Sequence, residues 1–207
     1  MTQFKNILAL DTALNHCSAA VRTDGGIFSE SKAMVQGHAE VLLPMAERVL
    51  AEAGIDYADL DAIAVTTGPG AFTGLRIGLS TARALALALD VPLFGITTTQ
   101  LLALQSVRDN PKPVAVMLDT KRGDFYFQTF DAEGKALAAA AVMAGDEIRT
   151  EGFILASDAP NAGLMAELLA GRPELFSPGA EPVYLRGADV TQSKRENRVF
   201  EGAQGTE

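Results

Sequence analysis

The sequence contains no tryptophan, one cysteine and two histidines among its 207 residues. A lone cysteine, Cys17, cannot close an internal disulfide, so packing must carry the stability, and a reducing compartment is the expected setting. His16 and His38 fall short of the three or four ligands a zinc site takes, and no His-Glu-x-x-His pattern occurs, so no metal is expected. Basic charge is also scarce: 17 Lys and Arg face 26 Asp and Glu, a net charge of −9. Nucleic-acid affinity draws on neutralised phosphates, so the chain on its own is expected to be a poor binder of nucleic acid. The most apolar stretch, Leu75 to Leu89, is interrupted by Arg76 and Arg83, which argues against a membrane span. The opening residues lead into an apolar run too short for a secretory leader. A cytoplasmic protein without a membrane partner is the expectation.

What is present is a core. Apolar residues make up 48% of the chain, enough for one large domain or two small lobes. Ile7 to Leu10, Cys17 to Arg22 and Ile27 to Ala33 read as three strands joined by short connections, with a turn at Asp24-Gly25-Gly26. Val41, Leu42, Met45, Val49, Leu50 and Ala53 share one helical stripe that Gly54 ends, and Pro44 either delays the start of that helix to about Leu43 or kinks it. Strand Ala62 to Thr66, helix Leu75 to Leu89, strand Leu93 to Ile96 and helix Thr98 to Val107 follow. The order β-β-β-α-β-α-β-α is that of a ribonuclease H-like lobe. After Asn110-Pro111-Lys112-Pro113 the pattern restarts, and Leu8-Ala9-Leu10-Asp11-Thr12 is echoed by Val116-Met117-Leu118-Asp119-Thr120. Phe125 to Phe130, Lys135 to Val142 and Phe153 to Ala156 read as strands, with a short helix from Ala162 to Ala170. The expected fold is α/β and actin-like, with two ribonuclease H-like lobes: residues 1–109, a shortened second lobe over 110–187, and a polar, mobile tail over 188–207.

Chemistry concentrates at Gly68-Pro69-Gly70-Ala71-Phe72-Thr73-Gly74, with three glycines in seven residues ahead of a helix. Two readings fit. The glycines let the backbone cradle a phosphate at the helix N-terminus, with Thr73 as N-cap, or they make a tight strand-to-helix connection. The spacing is not that of a Walker A loop, since no Lys-Ser or Lys-Thr pair follows. Asp11 stands at the end of the first strand, where actin-like ATPases hold a metal–phosphate group, and it reads equally as a turn residue. Asp11, Thr12, Gly68, Gly70 and Thr73 are therefore the candidate, vestigial nucleotide site; with Asp119 opposite, Mg–ATP binding by a small ATPase or kinase is the alternative function. His16 and Cys17 are adjacent on a strand and point to opposite faces, which excludes a dyad and makes Cys17 a core residue. The helix from Leu75 is apolar nearly all round. Leu75, Leu79, Ala82, Ala86 and Leu89 form one stripe and Ile77, Thr81, Ala84 and Ala88 another, with Arg76, Ser80 and Arg83 between them. Such a helix is covered on both sides, by its own lobe and by either another helix or a second molecule.

Five segments resemble the bacterial TsaB family, tRNA threonylcarbamoyladenosine biosynthesis protein B. They are Leu8–Ala13, Gly37-His38-Ala39-Glu40 leading into Leu43-Pro44, Gly68 to Gly78, Leu118-Asp119-Thr120-Lys121-Arg122-Gly123-Asp124-Phe125-Tyr126, and Glu181-Pro182-Val183-Tyr184-Leu185-Arg186. The resemblance implies the two-lobed actin-like fold and kinship with TsaD, which transfers threonylcarbamoyl to adenosine 37 of tRNAs that read codons beginning with A. It implies a non-catalytic subunit without cofactor of its own, although a nucleotide at the partner interface is compatible. Its partners would be a second copy, a TsaD-like paralogue and a TsaE-like ATPase, with tRNA reached only indirectly. The implied docking face lies on the two first-lobe helices, with His38, Val41, Leu42, Met45, Phe72, Leu75, Arg76, Leu79, Ala82 and Arg83 as candidate contacts.

Overall fold

A computed structural model describes residues 4–156 and 159–186; the expected tail over 188–207 lies outside the described residues. Strands β1 (Ile7–Asp11), β2 (His16–Thr23) and β3 (Gly26–Ala33) form an antiparallel meander. Helix α1 (His38–Ala53) crosses back to β4 (Ala62–Thr66), which lies parallel to β1. Helix α2 (Phe72–Leu89) leads to β5 (Leu93–Ile96), parallel to β4. Helix α3 (Thr98–Asp109) then delivers the chain to a second sheet of β6 (Val114–Asp119), β7 (Asp124–Phe130), β8 (Ala141–Ala144) and β9 (Ile154–Ala156). In that sheet β6 pairs antiparallel with β7 and parallel with β9, as β1 does with β2 and β4. The echo Leu-Asp-Thr at the ends of β1 and β6 thus marks equivalent positions, and the two-lobed, ribonuclease H-like arrangement is the one expected.

Strand alternation divides the first lobe into two cores. Leu8 and Leu10 face α1 and α2, meeting Leu42, Met45, Val49, Leu79 and Ala82. Ile7 and Ala9 face the other way, toward Leu101 and Leu104 of α3. The next helix, α4 (Ala162–Gly171), also packs there, through Met165, Ala166 and Leu169. The short strand β10 (Ser177–Pro178) then adds to the edge of the first sheet beside β5. Residues 162–183, which the sequence reading assigned to the second lobe, therefore lie on the first. The physical reason is that β1 and β2 need an apolar cover on that face, and α4 supplies it. Helix α3 stands between the sheets, with Leu102 and Ala103 turned to Val114, Val116, Leu118 and Phe130.

Two local expectations shift and one holds. Helix α1 runs unbroken through Pro44 from His38; the acceptor that Pro44 leaves without a donor is the carbonyl of exposed Glu40, which water can satisfy. Gly54 ends α1 at φ 70°, with Gly54 N–H on Ala51 O at 3.1 Å and Ile55 N–H on Leu50 O at 3.2 Å. The strand expected over 135–142 is displaced to Ala141–Ala144. After the turn, where Asp131 accepts from the N–H groups of Glu133 and Lys135, residue Ala136 makes an isolated bridge to Phe130 and Leu137 is exposed.

Candidate functional site

The glycine-rich turn is filled from within. A Cβ on Gly70 would collide with the carbonyl of Ala13, one on Gly74 with the carbonyl of Thr12, and one on Gly78 with the Thr12 hydroxyl. The turn after β1 therefore occupies the space the three missing side chains leave. Hydrogen bonds lock the fit: Thr12 Oγ1 donates to Gly74 O at 2.7 Å, and Ala71 N–H donates to Ala13 O at 2.7 Å. Gly68 has φ 100°, where a side chain is strained, and its carbonyl accepts from Thr98 N–H at 2.8 Å. Thr73 is not the N-cap. The helix begins a residue before it, at Phe72, and its N-cap Ala71 offers no side-chain oxygen.

Asp11 and Asp119, equivalent in sequence pattern, have opposite surroundings. Asp11 is fully buried. Its Oδ1 accepts from Thr66 Oγ1 at 2.6 Å and Ala13 N–H at 3.2 Å, while its Oδ2 is buried with no partner. Burial outweighs those two bonds and pushes its pKa up to about 7. Asp119 is exposed, and its hydrogen bonds from Lys121 hold its carboxyl below the usual range. Cys17 is core, as read from the sequence, and burial raises its thiol to about 11. His38 is buried at the start of α1, with Nε2 unpartnered. Among the described residues no three His, Cys, Asp or Glu side chains group as a metal site would need.

The expected docking face needs correction. Leu42, Met45, Leu79 and Ala82 are buried against the first sheet, because that stripe of α1 and α2 closes their own lobe, and Leu75 is buried beside Gly68 of the glycine-rich turn. None of the five presents an exposed side chain. Of the remaining candidates His38 is buried and Val41 half-buried, while Phe72, Arg76 and Arg83 are exposed. Phe72 and Arg76 flank an open groove of about 290 Å³ along the first turns of α2, also lined by Thr73, Ile77 and Ser80. The Arg76 guanidinium lies 3.7 Å over the Phe72 ring, and Phe72 in turn leans on Tyr184 with ring centroids 5.8 Å apart. Arg83 Nη2 donates to Ala180 O at 3.1 Å. The sequence reading missed Tyr184 and Leu87, the latter 85% exposed. Leu87 was legible in principle, falling eleven positions after Arg76 and four after Arg83 on the outward stripe; Tyr184 stands in a segment the resemblance singled out, but only the tertiary path of 180–186 brings it to Phe72.

Known proteins match this geometry. The family described as TsaD, tRNA N6-adenosine threonylcarbamoyltransferase, matches residues 13–171. The chain belongs to the TsaD family. Within it, the named relatives point to TsaB, as the resemblance implied. A tRNA threonylcarbamoyladenosine biosynthesis protein TsaB of Buchnera aphidicola is 40% identical over 122 residues, 58% of each chain. The TsaB of Escherichia coli is 34% identical over 128 residues, 61% of this chain and 55% of that one. The matched part thus spans little more than half the length of these two curated relatives. The solved structure titled YeaZ from Pseudomonas aeruginosa is 29% identical with a TM-score of 0.77, over 87% of this chain and 100% of that chain. This TsaD-family chain accordingly shares the fold of that structure. Among its described residues no helix is long and apolar enough to cross a membrane.

Proposed function

We propose that this chain is a non-catalytic subunit in the formation of N6-threonylcarbamoyladenosine on tRNA, and that it acts by docking the outer surface of α2 onto a TsaD-type transferase. The observation that carries the reading is the filled glycine turn. The space a phosphate cradle would need is taken by the chain itself: the Thr12 and Ala13 backbone sits against Gly70 and Gly74, and Asp11 is turned inward to Thr66. What remains open is a surface of the composition that dominates protein–protein contacts, with Arg76 over the Phe72 ring, Phe72 leaning on Tyr184, and Leu87 exposed near the far end of the same helix. The same surface serves either a second copy or the transferase, and the net charge of −9 favours an approach to tRNA through a partner. A TsaE-like ATPase as a further member rests on the family resemblance.

Purified chain, the transferase of the same organism and tRNA provide the test. The chain alone forms no threonylcarbamoyladenosine, and its addition supports the transferase. Phe72→Glu weakens association by about 30-fold or more, the effect of losing a central contact, with thermal unfolding unchanged. Unaltered association in that variant would sink the docking face. Mg–ATP turnover by the isolated chain, abolished by Asp11→Asn, would sink the non-catalytic reading.

A further inference from the structure

Two segments singled out in the sequence, Asp119 to Asp124 and Glu181 to Arg186, meet in space, and their meeting ties the second sheet to the surface of α2. After β10 the chain turns along the end of the first sheet. Gly179 N–H donates to Leu93 O at 2.9 Å, and Ala180 is buried beside Gly95. Arg83 of α2 holds the Ala180 carbonyl, and Val183 N–H donates to Thr67 O at 2.8 Å. Tyr184 then stacks on Phe72. Two residues later Arg186 pairs with Asp124, the first residue of β7. Asp124 is itself oriented, since its carboxylate and its carbonyl both accept from the Thr120 hydroxyl. The hairpin is braced in turn by Lys121 on Asp119. Arg186 and Asp124 are about 30% and 22% exposed, sheltered enough for the pair to be less screened than a surface one.

We propose that residues 180–186 form a latch, closed by Arg186 and Asp124, that positions the Tyr184–Phe72 pair for docking. Arg186 and Asp124 are thus positioning residues that touch no partner. The inference rests on the docking role of α2 proposed above and adds the second sheet to it. An unlatched segment keeps Val183 on Thr67 less firmly, frees Tyr184 from Phe72 and makes the partner pay for ordering both rings.

Two measurements on the full chain test this. Hydrogen exchange of the free chain reads the latch, and calorimetric titration with the transferase of the same organism reads docking. Arg186→Ala and Asp124→Ala each speed exchange of the Val183 and Tyr184 amides and weaken docking by about 5-fold or more, with the melting midpoint unchanged. The double variant is no worse than either single one, and Arg186→Lys restores part of the loss. Unchanged exchange in both single variants overturns the latch. Normal docking by Arg186→Ala overturns it as well, provided Phe72→Glu abolishes docking. If Phe72→Glu also docks normally, the α2 face itself is wrong and the latch falls with it.

Discussion

At the scale of single residues, Asp11 and the glycines make opposite sign predictions from ordinary expectation. A buried aspartic acid with its pKa raised from 3.8 to about 7 keeps its proton in the folded state and loses it in the unfolded one between those values. The unfolded state therefore binds fewer protons there, and this group's contribution to stability is present below pH 4, falls as pH rises and is gone above about 7. Asp11→Asn removes that loss, so its stability relative to the parent rises across this window and then levels off, as melts at pH 4, 6 and 8 would record. Glycine to alanine in a helix ordinarily stabilises by about 1 kcal/mol. At Gly74 the new methyl collides with the Thr12 carbonyl, and we expect a net loss of about 1–3 kcal/mol, the cost of overpacking. Denaturant titration of Gly74→Ala decides the sign. The sequence placed Asp11, Thr12 and these glycines in one candidate site, and the structure does bring them together. What it could not convey is that they fill one another: whether a loop holds a ligand or its neighbour depends on how closely two distant turns approach.

At the scale of elements, most of the first lobe was legible. Strand β5 falls where its apolar run placed it, and α1 ends at the glycine that marked its stop. Period and punctuation carry that information locally. Which stripe of α2 faces its own sheet is a different matter, because both stripes are apolar and periodicity alone ranks neither. The inward one holds Leu79, and Leu79→Ala should cost about 2–5 kcal/mol through the cavity it leaves. Leu87→Ala, on the outward side, should stay within about 0.5 kcal/mol. Paired chemical melts separate the two, and equal losses would refute the assigned orientation. Helix α4 was found as an element and misplaced as a neighbour. Its residues are apolar on nearly every side, so nothing local told it which sheet to cover.

At the scale of the whole molecule, the consequence of α4 crossing back is that the first lobe is not complete at residue 109. A fragment of residues 1–109 leaves Ile7, Ala9, Ala20 and Ala64 without the cover that Met165, Ala166 and Leu169 give them. We expect that fragment to aggregate or to lack a cooperative melt, while the full chain unfolds in a single calorimetric transition. A sharp two-state melt of the fragment would show that the lobe stands alone. One further property follows from α3, whose Leu101 and Leu104 belong to one core and Leu102 and Ala103 to the other. Two panels glued to opposite sides of one beam cannot swing about it without tearing a seam. Enzymes of two-lobed build commonly work by opening and shutting on their substrate; here a hinge at α3 would have to break one of the two cores it shares, so the two sheets are expected to move together.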